Sequence, residues 1–118
     1  GKHVYVAASD YWSVAWFARD EATGALTYGG NCADLAGLVG TYSVAVSPDG
    51  KNVYASALAT DAVSWMGRDP ASGALGLLGY YQDATTIDGT IGVAVSPDGL
   101  HVYAASSVAD SVSWLRRD

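Results

Sequence analysis

The sequence predicts an all-β fold built from a repeated unit, and three observations support this prediction. The segment VAVSPDG occurs at residues 44–50 and again at residues 93–99, so the two copies are 49 residues apart. Charged residues are scarce, with 6 Lys and Arg and 12 Asp and Glu, whereas Val, Tyr, Trp and Thr are plentiful and favour strands. The 14 glycines suit tight turns between short strands.

Several other features recur with the same period. They are the His/Asn-Val-Tyr segments at 3–5, 52–54 and 101–103, the tryptophans Trp16, Trp65 and Trp114, the Arg-Asp pairs at 19–20, 68–69 and 117–118, and Gly-Ala-Leu at 24–26 and 73–75. A period of this length with four strand-like runs is typical of one propeller blade. We therefore predict a β-propeller of four-stranded antiparallel blades with a 49-residue repeat, of which this chain is about 2.4 blades.

The first two strands of each blade form a hairpin. Strand A ends in Ser-Pro-Asp-Gly, where Pro presets φ and Gly accepts a positive φ, and strand B follows this turn. We predict strand A at 44–47 and 93–96 and strand B at 3–8, 52–57 and 101–106.

The other two strands form a second hairpin. Strand C is apolar on both faces near its middle, as in a strand covered on both sides, and a turn ending in Gly24 or Gly73 leads to a short outer strand D. We predict strand C at 13–19, 62–68 and 111–117 and strand D at 25–28 and 74–77. The predicted D–A loops then cover 31–40 and 80–89.

These strands predict one domain with blade segments at 1–43, 44–92 and 93–118. An open arc leaves two blade faces bare, so further blades are required to close the ring, from the same chain or from other copies. Gly1 stands where Gly50 and Gly99 stand, which indicates that the chain begins inside a repeat. We therefore expect it to be part of a longer chain, with any targeting segment upstream.

Composition argues against several classes of partner. The formal net charge is −6, and no basic stripe could follow a phosphate backbone, so no nucleic-acid partner is predicted. No apolar run approaches the roughly 18 residues of a membrane span. The single cysteine, Cys32, cannot form an internal disulfide. No cofactor is predicted.

Residues 44–75, VAVSPDGKNVYASALATDAVSWMGRDPASGAL, resemble the bacterial lactonase-like, or YVTN-type, β-propeller repeats. This group contains 6-phosphogluconolactonase-like proteins and related secreted or surface repeat proteins. The resemblance covers essentially the whole chain and implies a seven-bladed ring in an extracellular, cell-surface or periplasmic location. It rests on turn and core positions, and no catalytic residue of a lactonase can be matched onto this chain.

The copies agree in their A–B and C–D turns but differ in their B–C loops, at 9–12, 58–61 and 107–110, and in their D–A loops. Trp12, for example, stands where Asp61 and Asp110 stand. Both variable loops emerge on one face of an up-and-down blade, and binding commonly resides in loops on a rigid scaffold. We predict a ligand-binding surface there, formed by Tyr11, Trp12, Asp34, Tyr80, Tyr81 and Asp83. The alternative is neutral drift in solvated loops.

Other candidates favour structural roles. Asp49 and Asp98 cap their own turns more plausibly than they bind Ca²⁺, which takes several oxygen ligands, so no metal site is predicted. His3 and His101 begin strands, and Cys32 is a loop or partly buried thiol without an activating partner. We predict that the Arg-Asp pairs stabilise the C–D turn and that the repeated tryptophans pack between blades.

Three functions remain open. The first is a non-catalytic binding or scaffold propeller with a protein or glycan ligand on the loop-bearing face. The second is a lactonase-like hydrolase whose site lies mostly outside this arc. The third is a carbohydrate-binding propeller. In it, Trp12 or Tyr81 stacks on sugar rings, and the neighbouring Asp and Asn side chains accept hydrogen bonds from the sugar hydroxyl groups.

Overall fold

The computed structural model describes residues 1–118 and contains ten strands in three antiparallel sheets. The strands are β1 (His3–Ala8), β2 (Ser13–Arg19), β3 (Leu26–Ala33), β4 (Thr41–Val46), β5 (Asn52–Ala57), β6 (Ala62–Arg68), β7 (Leu75–Gln82), β8 (Thr90–Val95), β9 (His101–Ser106) and β10 (Ser111–Arg116). The first sheet is β1-β2-β3, the second is β4-β5-β6-β7, and the third is β8-β9-β10.

Each sheet follows the chain from strand to adjacent strand, which is the up-and-down order of a propeller blade. The second sheet holds all four strands A to D, the first holds B, C and D, and the third holds A, B and C. The strands β4 and β8, both at the A position, pack against each other. The predicted all-β fold and partial propeller are therefore confirmed. The longest helical segment is a three-residue turn at Ser9–Tyr11, far short of a membrane span.

The predicted bounds of strand B are those observed, because both of its ends adjoin turns with clear sequence signals. The predicted strand A was wrong at its start, since β4 and β8 begin three residues earlier, at Thr41 and Thr90. The predicted end of strand C at Arg117 was one residue too late in the third sheet.

The predicted strand D was wrong in length, because β3 and β7 extend to Ala33 and Gln82 through glycines that suggested a loop. Those glycines make room for tryptophans. A Cβ on Gly79 would lie 2.6 Å from the Trp65 ring, and one on Gly30 would lie 2.7 Å from the Trp16 ring. The strand therefore continues past the glycine with a bulge beside the indole.

The core lies in two clusters, one on each face of the second sheet. Alternation along β5 sends Val53 and Ala55 toward the first sheet and Tyr54 toward the third. Each D–A loop adds one fully buried residue, Leu38 to the first cluster and Ile87 to the second. Both clusters bury apolar surface between neighbouring sheets, which is the main favourable term in propeller packing.

Candidate functional site

The variable loops meet on one face of the arc, which we call the loop face and define as residues 9–12, 58–61 and 107–110 together with 34–40 and 83–89. Within the first sheet, the N–H of Asp34 donates to the carbonyl oxygen of Trp12 at 3.3 Å. At the end of the β4–β5 pair in the second sheet, the N–H of Leu58 donates to the carbonyl of Gly40 at 3.0 Å. Backbone hydrogen bonds therefore fix the loop face, and its side chains project from a braced scaffold.

The two predicted acidic site residues start the D–A loops and cap them. Asp34 Oδ1 accepts hydrogen bonds from the N–H groups of Ala36 and Gly37 at 2.8 and 2.7 Å. Asp83 Oδ1 accepts one from the N–H of Thr85 at 2.8 Å, and this bond lowers the pKa of its carboxyl. Each carboxylate thus folds its own loop. The second oxygen of Asp34 remains able to accept a hydrogen bond, whereas Asp83 Oδ2 already accepts one from the Thr86 hydroxyl at 2.9 Å.

Tyr80 and Tyr81 lie in β7 and not in the loop where we predicted them, and they point to opposite faces of the second sheet. A Cβ on Gly37 would lie 2.9 Å from the Tyr80 ring, so this tyrosine packs on the loop that begins at Asp34. The Tyr81 hydroxyl donates to Asp83 Oδ2 at 3.2 Å. The predicted residues therefore form two groups: Trp12, Asp34 and Tyr80 around the first D–A loop, and Tyr81 with Asp83 beside the third sheet. Tyr11 stands apart in the turn before Trp12 and is 80% exposed.

Trp12 has a strained backbone. Its φ of 50° lies in the left-handed region, as do those of Asp61 and Asp110 at the same position of the repeat. Asp tolerates this conformation better than a bulky residue, and Asp61 Oδ1 also accepts a hydrogen bond from the Gly89 N–H at 2.8 Å. An indole has no acceptor and cannot make this bond to Gly40, the equivalent glycine. Trp12 is therefore costly for the fold at this position.

We expect Trp12→Asp to raise the free energy of unfolding by about 1 kcal/mol, because Asp relieves the left-handed strain and can accept from the Gly40 N–H. Urea denaturation of both proteins measures this difference. Tyr11→Asp is the matched control, since Tyr11 does not occupy the left-handed position, and it should change stability by less than about 0.5 kcal/mol. A Trp12→Asp protein no more stable than the natural one would contradict the argument from strain.

A groove of about 420 Å³ lies between the second and third sheets, and the sequence did not reveal it. Tyr81, Trp65 and Leu115 form part of its apolar lining, and Arg117 and Tyr54 line its polar end. At the corresponding place between the first and second sheets, Leu75 and Leu77 of β7 pack against the core. The third sheet has no fourth strand to supply such residues, which is why the groove is open.

The repeated arginines connect neighbouring sheets. Arg68 in the second sheet donates from Nε to the Tyr5 hydroxyl of the first sheet at 2.7 Å, and its Nη2 lies 2.8 Å from His3 Nδ1. Its Nη1 donates to the carbonyl of Gly50 in its own A–B turn at 3.0 Å. We call this set of contacts the arginine junction.

The arginine junction recurs between the second and third sheets. Arg117 donates to the Tyr54 hydroxyl at 2.8 Å, to Asn52 Oδ1 at 2.9 Å and to the Gly99 carbonyl at 3.0 Å. It also forms an ion pair with Asp49 at 2.8 Å. Asn52 and His3 occupy the same position of the repeat, at the start of strand B. Each of them contacts the arginine that comes from the following sheet.

The predicted Arg-Asp pairing at the C–D turn was therefore wrong. The arginine crosses to the preceding sheet, and the neighbouring aspartate caps the turn alone. Asp69 Oδ1, for example, accepts from the N–H groups of Ala71 and Ser72 at 2.7 and 3.2 Å. Adjacent residues of a strand point to opposite faces, which separates the two side chains of each pair.

The prediction for the tryptophans needs correction too. Trp16 and Trp65 lie over the glycines of strand D in their own sheets, although Trp65 also touches the cluster between the second and third sheets. Trp114 has no strand D beside it and is 72% exposed.

Cys32 lies in β3 and not in a loop, and its partial burial raises the pKa of its thiol.

Asp49 and Asp98 cap their own turns as predicted. Asp49 Oδ1 accepts from the Ser47 hydroxyl at 2.6 Å and the Lys51 N–H at 3.1 Å, and Asp98 Oδ1 accepts from the Leu100 N–H at 2.9 Å. The Ser47 hydroxyl and then Arg117 hold the pKa of Asp49 well below its usual range. Hydrogen bonds likewise lower the pKa of the other turn and loop carboxyls, namely Asp20, Asp69, Asp83 and Asp98.

These lowered pKa values predict acid sensitivity. A carboxyl whose pKa is depressed by folding stabilises the native state above its unfolded pKa, near 3.8, and this contribution is lost as the pH falls below that value. Asp88 acts in the opposite sense, because burial and the neighbouring Asp61 carboxylate raise its pKa. We expect the free energy of unfolding to fall steeply below about pH 4, as measured by urea denaturation between pH 2.5 and 7. A loss already complete at pH 5 would contradict this expectation.

The fold is similar to that of several solved structures. A candidate 6-phosphogluconolactonase from Bacteroides fragilis is 27% identical, with a TM-score of 0.87 over 100% of this chain and 32% of its own. The periplasmic gluconolactonase of Pseudomonas aeruginosa is 25% identical, with a TM-score of 0.82 over 100% of this chain and 33% of its own. The β-propeller domain of Cps50 (Swd1) from Myceliophteria thermophila is 15% identical, with a TM-score of 0.78 over 100% of this chain and 37% of its own, and shows the fold alone.

No protein-family model and no curated protein matches the chain. The chain spans about a third of the length of the structures it resembles. Its three sheets thus form an arc of a β-propeller, similar in structure to proteins described as lactonases.

Proposed function

We propose that this chain is part of a non-catalytic binding or scaffold β-propeller, and that the loop face binds its ligand. The observation that carries the proposal is Trp12, a bulky residue kept in a left-handed conformation where the other copies place Asp. It is 42% exposed and follows Tyr11, so the two aromatic side chains present an accessible apolar surface. A costly residue on an exposed loop is explained by a binding role and not by stability.

The chemistry of this surface suits a glycan or a protein segment with accessible polar groups. Exposed aromatic rings stack on the apolar faces of sugars or pack on side chains, while the nearby Asp34 carboxylate accepts hydrogen bonds from hydroxyl groups. Tyr80 extends the surface across the first D–A loop, since its ring packs on Gly37. Tyr81 and Asp83 offer a second aromatic and acidic pair next to the third sheet.

A glycan array probed with the 118-residue chain tests the carbohydrate form of this proposal. Binding should be lost in Trp12→Ala and retained in Trp114→Ala, which removes a more exposed tryptophan outside the loop face. Tyr81→Ala shows whether the second group takes part. Binding that survives both Trp12→Ala and Tyr81→Ala would overturn the assignment to the loop face.

A photo-crosslinking amino acid at position 11, introduced in the producing cells, tests the protein form. The matched control carries it at position 51, which is also exposed but lies in the A–B turn of the second sheet, outside the loop face. A partner crosslinked from position 11 alone, and lost on Trp12→Ala, supports the proposal. Crosslinking from neither position, together with a silent glycan array, would refute it.

A lactonase-like hydrolase is the second candidate, and the similarity to the periplasmic gluconolactonase favours it. Its site would lie mostly outside this arc. An assay of glucono-δ-lactone hydrolysis separates this candidate from the first. The released proton of the product acid is the signal that the assay detects. The same similarity supports a periplasmic, cell-surface or extracellular location, which fractionation of the producing cells would test.

A further inference from the structure

The formal net charge of the chain lies entirely on the loop face. Half of the 12 acidic residues are aspartates of the loop-face segments, and no Lys or Arg occurs in those segments. These aspartates are Asp10, Asp34, Asp61, Asp83, Asp88 and Asp110. The remaining acidic residues equal the 6 cations in number, so the net charge of −6 is that of the loop face.

The cations lie at the opposite end of the sheets, where the A–B and C–D turns are. They are Lys2, Arg19, Lys51, Arg68, Arg116 and Arg117. Each arginine lies at or just after the end of a strand C, and each lysine lies just before a strand B. The N–H of Arg68, for example, donates to the carbonyl of Lys51 at 2.9 Å. A strand of this length spans about 20 Å, whereas salt screens exposed charges beyond about 8 Å, so these cations do not neutralise the loop face.

Three of the aspartates lie around one B–C loop. The N–H of Asp83 donates to the carbonyl of Asp61 at 3.2 Å, and Asp61 Oδ1 accepts from the N–H of Gly89, the residue after Asp88, at 2.8 Å. Burial, and then the Asp61 carboxylate, raise the pKa of Asp88. We call Asp61, Asp83 and Asp88 the acidic part of the loop face. Its like charges repel one another, and a bound cation relieves that repulsion.

The neighbouring region of the loop face is apolar and exposed. Trp12 stands where Asp61 stands in the next copy. Leu35 is 73% exposed and directly follows Asp34, whose N–H donates to the carbonyl of Trp12. The short turn before Trp12 packs against β4, whose partner strand β5 leads directly to Leu58, which is 38% exposed. We call Trp12, Leu35 and Leu58 the apolar part of the loop face. The two parts adjoin, because Leu58 and Asp61 belong to the same B–C loop.

We propose that the partner of the loop face is a cationic, amphipathic segment of another protein. Its Lys or Arg side chains meet the acidic part, and its apolar side chains cover the apolar part. Charge complementarity selects a cationic partner over a neutral glycan, which gains nothing from the net charge. A small cation would leave the exposed leucines uncovered. This inference rests on the proposed role of the loop face and specifies the class of its partner.

Selection of short random peptides displayed on phage, with the chain as the immobilised target, tests the inference. The enriched peptides should carry a net positive charge together with apolar residues. Fluorescence anisotropy of an enriched peptide should show affinity about 10-fold weaker in about 0.5 M NaCl than in about 0.05 M NaCl, because salt screens the ion pairs.

Variants of the chain locate the binding. Asp88→Asn removes one charge of the acidic part without changing its shape, and it should weaken the affinity about 5-fold at low salt and less at high salt. Glu21→Gln is the matched control, since it makes the same charge change at an exposed residue of a C–D turn and should leave the affinity unchanged. Trp12→Ala should abolish binding. Circular dichroism and thermal melting check that each variant keeps the fold.

The outcomes separate this inference from the proposed function. Enriched peptides that are neutral or acidic, but lose binding in Trp12→Ala, would overturn the cationic partner and leave the loop face as the binding surface. Peptides that still bind Trp12→Ala would count against the loop face itself. An absence of enrichment would also overturn the inference, whereas glycan binding lost in Trp12→Ala would still support the proposed function.

Discussion

Replacement of Gly73 by alanine is expected to lower the free energy of unfolding by about 3 kcal/mol, the largest effect of a single methyl group that we predict. Gly73 has a φ of 78°, where any side chain costs about 1 kcal/mol. In addition, a Cβ at this position would lie 2.4 Å from the His3 ring. His3 cannot easily move aside, because its Nδ1 lies 2.8 Å from Arg68 Nη2.

The chain contains its own control for this experiment. Gly24 occupies the same turn position with the same φ of 78°, but nothing lies within 4 Å of a Cβ built there. Gly24→Ala should therefore cost only the backbone strain of about 1 kcal/mol. Urea denaturation gives the loss of unfolding free energy in each variant. The loss in Gly73→Ala minus the loss in Gly24→Ala measures the clash with His3 at the contact between the first and second sheets. Equal losses in the two proteins would show that Gly73 does not report on that contact.

Replacement of Arg68 by methionine is expected to lower the free energy of unfolding by about 2 kcal/mol, because it removes three hydrogen bonds of a half-buried cation. Methionine keeps much of the apolar stem, so the loss reports mainly on the guanidinium. Arg116→Met is the control, since Arg116 is exposed and its side chain makes no hydrogen bond, and it should change stability by less than about 0.5 kcal/mol.

A double-mutant cycle that combines Arg68→Met with Tyr5→Phe shows whether loss of the arginine junction causes the lower stability of Arg68→Met. The Tyr5 hydroxyl accepts from Arg68 and itself donates to the carbonyl of Gly73 at 2.8 Å. We expect a coupling of about 1 kcal/mol between the two substitutions, since they share this hydroxyl. Strictly additive losses would place the effect of Arg68 elsewhere, for example in its contact with Gly50.

Local signals explain how much of this fold could be predicted. Strand B and the A–B turn follow from Pro-Asp-Gly and from the alternation of apolar residues, both of which act within a few residues. The caps at Asp49 and Asp98 are local for the same reason. The extension of strand D past Gly79 was missed because the glycine accommodates the ring of Trp65, a contact that only the folded sheet creates.

The candidate site follows the same division. Comparison of the copies within the sequence shows that the B–C and D–A loops vary. It does not show the left-handed backbone at Trp12 or the opposite directions of Tyr80 and Tyr81. Direction along β7 depends on the bulge beside Trp65, which shifts the register between β6 and β7. A one-residue shift exchanges the two faces of a strand.

The sequence by itself determined the repeat, the strand order and the turns of this protein, because period and turn chemistry are properties of short segments. Only the tertiary structure decided the partners of the arginines. Arg68 meets Tyr5 across 63 residues, and it does so because the packing of one sheet on the next brings strand C of a blade against strand B of the preceding one.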